Sequence, residues 1–272
     1  MKELDGLALA ESMGWKHYRT MLNDLPARFC VNMDCFTSIA LGNPRPEYHN
    51  LAQLELFYSA DEHKLPLNDE YARIFLLIFK LIVQLETIRD RCYYAGHIFC
   101  DGRVSLYIYC KDPQEIFEIG GQFEEFELFY NQEDPRWDMY FDYLMPSNAE
   151  VRANATEEML NFLEDTGNDL SQIYTIEHSF HFYERDNMVE FMDAINDSDI
   201  ALNAVSYSRD RVHINEAITG EAGVYLVRIE QEMPLDTSEI YEMSETLDKY
   251  ATEHQGFYMG WQPENRKGIV MH

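Results

Sequence analysis

Polar and apolar residues alternate in LAQLELFYS at 51–59, placing Ala52, Leu54, Leu56 and Tyr58 on one side and Gln53 and Glu55 on the other. That period predicts a strand. After Asn68, a plausible cap with Asp69 and Glu70 behind it, the apolar positions take helical spacing: Tyr71, Ile74, Phe75, Ile78, Leu81, Ile82, Leu85 and Ile88. The run around Phe75–Phe79 is apolar nearly all round, which predicts a central, deeply buried helix. Asp101-Gly102 joins YYAGHIFC to VSLYIYC and signals a hairpin. Pro113 then opens a short helix ended by Gly120-Gly121, and FEEFELFY at 123–130 alternates again as a strand. Upstream, WKHYRTML and ARFCVNMD flank Asn23-Asp24-Leu25-Pro26 as an added hairpin, and LGNPRPEYHN at 41–50 reads as a Pro-rich loop.

The second half repeats this order. In YTIEHSFHF, residues Tyr174, Ile176, His178, Phe180 and Phe182 share a face opposite Glu177 and His181. A helix follows with Met188, Phe191, Met192 and Ile195, then a strand or loose hairpin within 200–214, and VYLVRIEQ at 224–231 as a strand. Asp236 and Glu239 fit a capping box for a helix whose apolar face is Ile240, Met243, Leu247, Tyr250 and Ala251. Gly256 is expected to end that helix, and GFYMGW to form the last strand with Phe257, Met259 and Trp261 inward and Tyr258 outward. Both halves therefore read β-α-β-β-α-β, and the fold class is α+β: two tandem ferredoxin-like α/β sandwich domains with antiparallel sheets. The expected division is a domain over 1–146 with the added N-terminal hairpin, a linker with a short helix over 147–171, and a second domain over 172–272.

Charge narrows the functional classes. The chain has 21 Lys+Arg against 49 Asp+Glu, a net charge of −28. Such a surface repels phosphate backbones and anionic membranes and attracts basic partners, so direct nucleic acid binding and membrane binding are not expected. The segment IFLLIFKLIVQL at 74–85 is too short for a bilayer span and contains Lys80, and the acidic N-terminus does not read as a signal peptide. Cys30, Cys35, Cys92, Cys100 and Cys110 form no C-x-x-C and fall in apolar runs, which suits reduced thiols in a cytoplasmic protein.

Catalytic patterns are not found. There is no G-x-S-x-G, phosphate-binding loop or G-x-G-x-x-G. His178 and His181, like His97 and Cys100, stand three apart and so on opposite faces of a strand, which cannot chelate one metal. Glu125 and Glu127 read as a solvated strand edge. No cofactor, metal or catalytic residue is expected. The candidate interaction residues are Tyr258 and Trp261 in the final strand, with Glu177 and His181 on the other strand.

EHSFHFYERD, Phe191, VYLVRIEQEMP, LDKYATEHQG and YMGW resemble the RraB family, regulators of ribonuclease E activity; Tyr258, Gly260 and Trp261 carry the family's aromatic, glycine and tryptophan. The resemblance implies a ferredoxin-like fold, and inhibition of ribonuclease E by acidic proteins that bind the enzyme, not its RNA. Trp15, Tyr18, the Asn43-Pro44-Arg45-Pro46 loop, Gly96, Asp101-Gly102-Arg103 and EDPRWDMYFDYLMPS resemble an uncharacterised bacterial domain family often found before RraB-like modules. The expected function is a non-enzymatic, cytoplasmic regulator that binds a protein partner with a basic surface, a ribonuclease. The alternative is an enzyme or small-ligand binder using an inter-domain cleft where His17, His97 or the Arg45 loop gather.

Overall fold

Two turns of one chemistry start the first sheet. Asn23 (φ 50°) with Asp24 (φ 63°), and Asp101 (φ 51°) with Gly102 (φ 75°), supply the paired positive φ angles of two-residue hairpin turns. The structure, a computed structural model, describes residues 14–35, 47–213 and 223–263. The first turn joins β1 (Trp15–Leu22) to β2 (Leu25–Asn32), and the second joins β4 (Cys92–Cys100) to β5 (Arg103–Cys110). With β3 (Asn50–Phe57) and β6 (Leu128–Glu133) they form a six-stranded sheet in the order β1-β2-β4-β5-β3-β6, antiparallel throughout. Two helices join these strands, α1 (Asn68–Leu85) and α2 (Pro113–Gly120); the Asp112 side chain caps α2 by accepting from the Gln114 amide. The last four strands of that order, β4-β5-β3-β6, carry the split βαβ topology expected from the sequence, and the β1–β2 hairpin extends it beyond β4.

Helix α1 departs from expectation. It begins at Asn68 with Leu67 in the capping position and no side-chain cap. Only Ile74, Leu77, Ile78, Leu81 and Leu85 are buried, against Ala52, Leu54, Leu56, Val104, Leu106 and Ile108 of the sheet. Leu76, Phe79 and Val83 stay half exposed or more. The all-round apolar run is thus a buried face plus an outward stripe. The expected strand at 123–130 is also displaced. Phe123 and Phe126 turn inward to close the helix-side core, at 6.0 Å between ring centroids, so pairing begins only at Leu128.

The reverse face of this sheet is not solvated. Tyr18, Phe29, Val31, Leu51, Ala95, Ile98, Tyr107 and Tyr109 meet Tyr48, Trp137, Tyr140 and Leu144 in a second core. The covering segment includes a short π-helical turn, Met139–Leu144. Trp137 stacks flat on Tyr109 at 3.9 Å and donates through Nε1 to the Tyr48 carbonyl. Glu55, on this reverse side, is 2% exposed; it accepts from Ser105 at 2.7 Å and from Gln53 at 2.6 Å, with Arg103 at 3.4 Å.

The chain divides into two units between Glu150 and Val151. Where a linker with a short helix was expected over 147–171, an eighteen-residue helix α3 (Asn148–Asp165) stands. Ser147 and Glu150 box its first turn: the Ser147 amide donates to Glu150 Oε2 at 2.8 Å, and the Glu150 amide to Ser147 Oγ at 3.2 Å. Leu160 and Leu163 of α3 pack with Ile176, Leu235 and Ile240 in the second unit.

That unit holds β7 (Ile173–Phe182), α4 (Arg185–Asn196), β8 (Ala204–Tyr207), β9 (Tyr225–Pro234), α5 (Thr237–Glu253) and β10 (Gly256–Pro263). Its sheet runs β10-β7-β9-β8, again antiparallel and again in split βαβ order. Asp236 caps α5 by accepting from the Ser238 and Glu239 amides. Helices α4 and α5 bury Met188, Phe191, Ile195, Leu247 and Ala251 against Phe180, Phe182, Val227 and Ile229. Gly256 does not end α5; Gln255 makes the left-handed turn (φ 55°) and Gly256 starts β10. A Cβ there would sit 2.2 Å from the Phe182 ring, so the ring lying over this position is what requires the glycine.

Candidate functional surface of the second sheet

A bulge decides which way the final strand faces. In β10, Tyr258 pairs with Phe180 and Gly260 with Ser179, so Met259 is the extra residue. Gly260 takes φ 114°, a conformation side chains resist. The insertion reverses the alternation after Tyr258. Tyr258 and Trp261, three apart, both point to the helix side, while Phe257 and Met259 point out, 52% and 45% exposed. The expected inward Phe257 and Met259 and outward Tyr258 are each inverted; Trp261 is inward as expected.

Tyr258 belongs to a buried polar chain. Its hydroxyl lies 2.8 Å from His178 Nδ1 and 3.3 Å from Ser244 Oγ. Burial holds the His178 pKa down to about 4 against the opposing Gln231 side chain, although neither His178 Nε2 nor Gln231 Oε1 completes a hydrogen bond. The Gln231 amide donates instead to the Ala201 carbonyl at 2.9 Å. Helix α3 supports the same strand from the helix side. Trp261 Nε1 donates to Thr156 Oγ1 at 2.9 Å, and Arg152 lies 5.8 Å over the Tyr258 ring while pairing with Asp248 at 2.6 Å. Tyr258 is buried, and Trp261 is partly buried against the core that α3 helps to form.

The other two candidates lie on the opposite face, which no helix among the described residues of the unit covers. Glu177 accepts from Gln262 Nε2 at 3.0 Å and lies 3.6 Å from Arg228. His181 is buried between its cross-strand neighbours Phe257 and Leu226, and that burial lowers its pKa. Tyr183, 44% exposed, meets Phe257 edge to face at 5.7 Å. The open face thus has an apolar end, Tyr183, Phe257 and Met259, and an acidic body, Glu177, Glu230 and Glu232 around Arg228. Sequence reasoning missed the apolar end. The glycine in GFYMGW was its one available signal, since a glycine inside a strand marks a bulge.

A different bulge gathers histidines in the first unit. The register shifts between Tyr94 and Gly96, so Tyr94 and His97 share a face and meet at 2.9 Å. His17, Cys30 and His97 then form one cross-strand row, with His17 Nε2 3.6 Å from the Cys30 sulfur. Burial pushes the Cys30 thiol well up, and burial together with the neighbouring His17 brings His97 down to about 3. Both shifts disfavour the charged forms of these two groups. Among the described residues no group of three His, Cys, Asp or Glu side chains is placed to hold a metal. Arg45 and its loop lie outside the described residues. A cleft of about 320 Å³ opens in this unit beside Tyr18, Phe29, Tyr143, Asp142 and Glu150, with no histidine, cysteine or lysine on its walls. No disulfide joins the cysteines, and among the described residues no helix is long and apolar enough to cross a membrane.

The described residues form two antiparallel α+β units, and this is the class of protein that the fold defines. Residues 153–262 match the RraB family, Regulator of ribonuclease activity B. Residues 13–145 match DUF695, a family of unknown function. A search of curated proteins gave no match.

Proposed function

We propose that this chain is a non-enzymatic regulator that binds a ribonuclease directly, through the open face of the second sheet. The carrying observation is the exposed Tyr183–Phe257–Met259 cluster bordering Glu177, Glu230 and Glu232, within the segment that matches the RraB family. Aromatic residues ringed by polar groups are the usual anchors of protein interfaces. The carboxylates suit a partner with a basic surface, and the net charge of −28 disfavours RNA as the ligand. Tyr258 and Trp261 act from behind the sheet by fixing the bulge that turns Phe257 and Met259 outward. Glu177 contributes from the face itself, and the buried His181 supports its cross-strand neighbour Phe257. Ribonuclease E is the specific target proposed, and the cytoplasm the compartment.

The test titrates the full chain into a ribonuclease E cleavage assay with a short RNA. Cleavage should slow as the chain is added, and Phe257→Ser with Met259→Ser should raise the required concentration by about tenfold or more, with an unchanged melting temperature. Cleavage indifferent to the wild-type chain would end the regulator reading. A variant as potent as the wild type would leave the regulator and remove this face from it.

A further inference from the structure

We propose that the first unit is a self-association module, in which helix α1 packs antiparallel against α1 of a second copy of this chain. The outward residues Ala72, Leu76, Phe79 and Val83 form one stripe along the helix, with Leu76 61%, Phe79 50% and Val83 49% exposed. Their spacing of four, three and four reads the same in both directions. When two such helices run antiparallel about a two-fold axis between residues 77 and 78, Leu76 of each faces Phe79 of the other. Ala72 likewise faces Val83, the smallest residue of the stripe opposite a branched one. A surface complementary to itself in this way is what a two-fold interface requires. A helical ligand of unrelated sequence would need no such symmetry.

Charge favours the same occupant. The chain averages about one carboxylate in five or six residues, yet residues 71–85 contain none, the longest such run in the sequence. Its only charges are Arg73, paired with Glu70 at 2.9 Å, and Lys80. Two chains of net charge −28 repel over most orientations, and this helix face is where they approach with least repulsion. An acidic helix from another protein would be drawn to Lys80 and lost as salt rises, whereas self-association here must strengthen as salt screens the repulsion. A single helix face lies at the low end of interface sizes, so the dimer belongs at micromolar concentrations. This inference does not rest on the regulatory reading, because the stripe lies in the other unit.

Sedimentation of the full chain from about 5 to 200 μM, at about 50 and 500 mM salt, tests it. A monomer–dimer equilibrium that tightens at the higher salt is expected. Phe79→Glu and Leu76→Glu should each weaken it tenfold or more while leaving the melting temperature in place, since both side chains point to solvent. The Ala72→Cys, Val83→Cys double variant should give a disulfide-linked dimer under mild oxidation, suppressed when Phe79→Glu is added. A chain monomeric at every concentration and salt, or a dimer untouched by both glutamate variants, would overturn the proposal.

Discussion

His178 shows how one buried side chain sets a measurable property. It is fully buried, hydrogen-bonded to Tyr258, and titrates near 4 where an exposed imidazole titrates near 6.5. The unfolded chain therefore takes up the proton first. Its contribution to the stability of the second unit is complete above about pH 6.5, declines as pH falls towards 4, and levels off below that. The span is worth about 3 kcal/mol as an order of magnitude. Melts of the wild type and of His178→Gln across pH 4–7 should separate it from the carboxylates, which titrate in both proteins. The difference between the two curves should change over that window and be flat above it; parallel curves would mean that His178 is not held neutral. Trp261 provides the packing counterpart. Trp261→Ala removes both its place beside Leu160 and Ile240 and the bond to Thr156, and should cost at least about 2 kcal/mol by urea denaturation. A loss within about 0.5 kcal/mol would mark Trp261 as a surface residue.

At the scale of elements, helix α3 reads from sequence as an accessory and proves structural. Its mean pattern is weakly amphipathic, and Met159, Phe162 and Leu163 suggest a short apolar side. The structure buries Leu160 and Leu163, together with Thr156, and leaves Phe162 42% exposed. The Ser147–Glu150 box was legible as S-x-x-E, but only the packing of the following turns says that the helix belongs to the second unit. A fragment of residues 151–272 should unfold cooperatively in urea. One beginning at residue 172 should lose at least about 3 kcal/mol, the worth of two buried leucines, or fail to fold. Equal midpoints and slopes for the two fragments would show that α3 is dispensable.

For the whole molecule, the net charge of −28 governs how it meets anything else. Binding of a basic ribonuclease surface by the acidic sheet face should weaken by about tenfold between low and high salt, because screening shortens the reach of exposed charges. Self-association through α1 should move the other way. A binding titration and a sedimentation series in the same two buffers would separate the two surfaces in one protein. Ribonuclease binding unaffected by salt would place recognition on the apolar end, Tyr183, Phe257 and Met259, without the carboxylates.

The order of strands and helices and the acidic balance were determined by sequence alone, because side-chain period, caps and charge are local properties of the chain. Only the tertiary structure decided what each face meets. The side of β3 opposite Ala52 and Leu54 carries Leu51, Gln53 and Glu55, and Trp137 and Tyr140, more than eighty residues downstream, join Leu51 in a second core there. The two bulges were decided by partner strands as well. At Gly96 a Cβ would lie 2.3 Å from the Cys30 carbonyl oxygen, and that contact, invisible to any local period, lets Tyr94 reach His97. Before Gly260 the inserted Met259 puts Tyr258 and Trp261, three apart, on one face. A strand's alternation predicts faces only while its register holds, and register is set by the neighbouring strand.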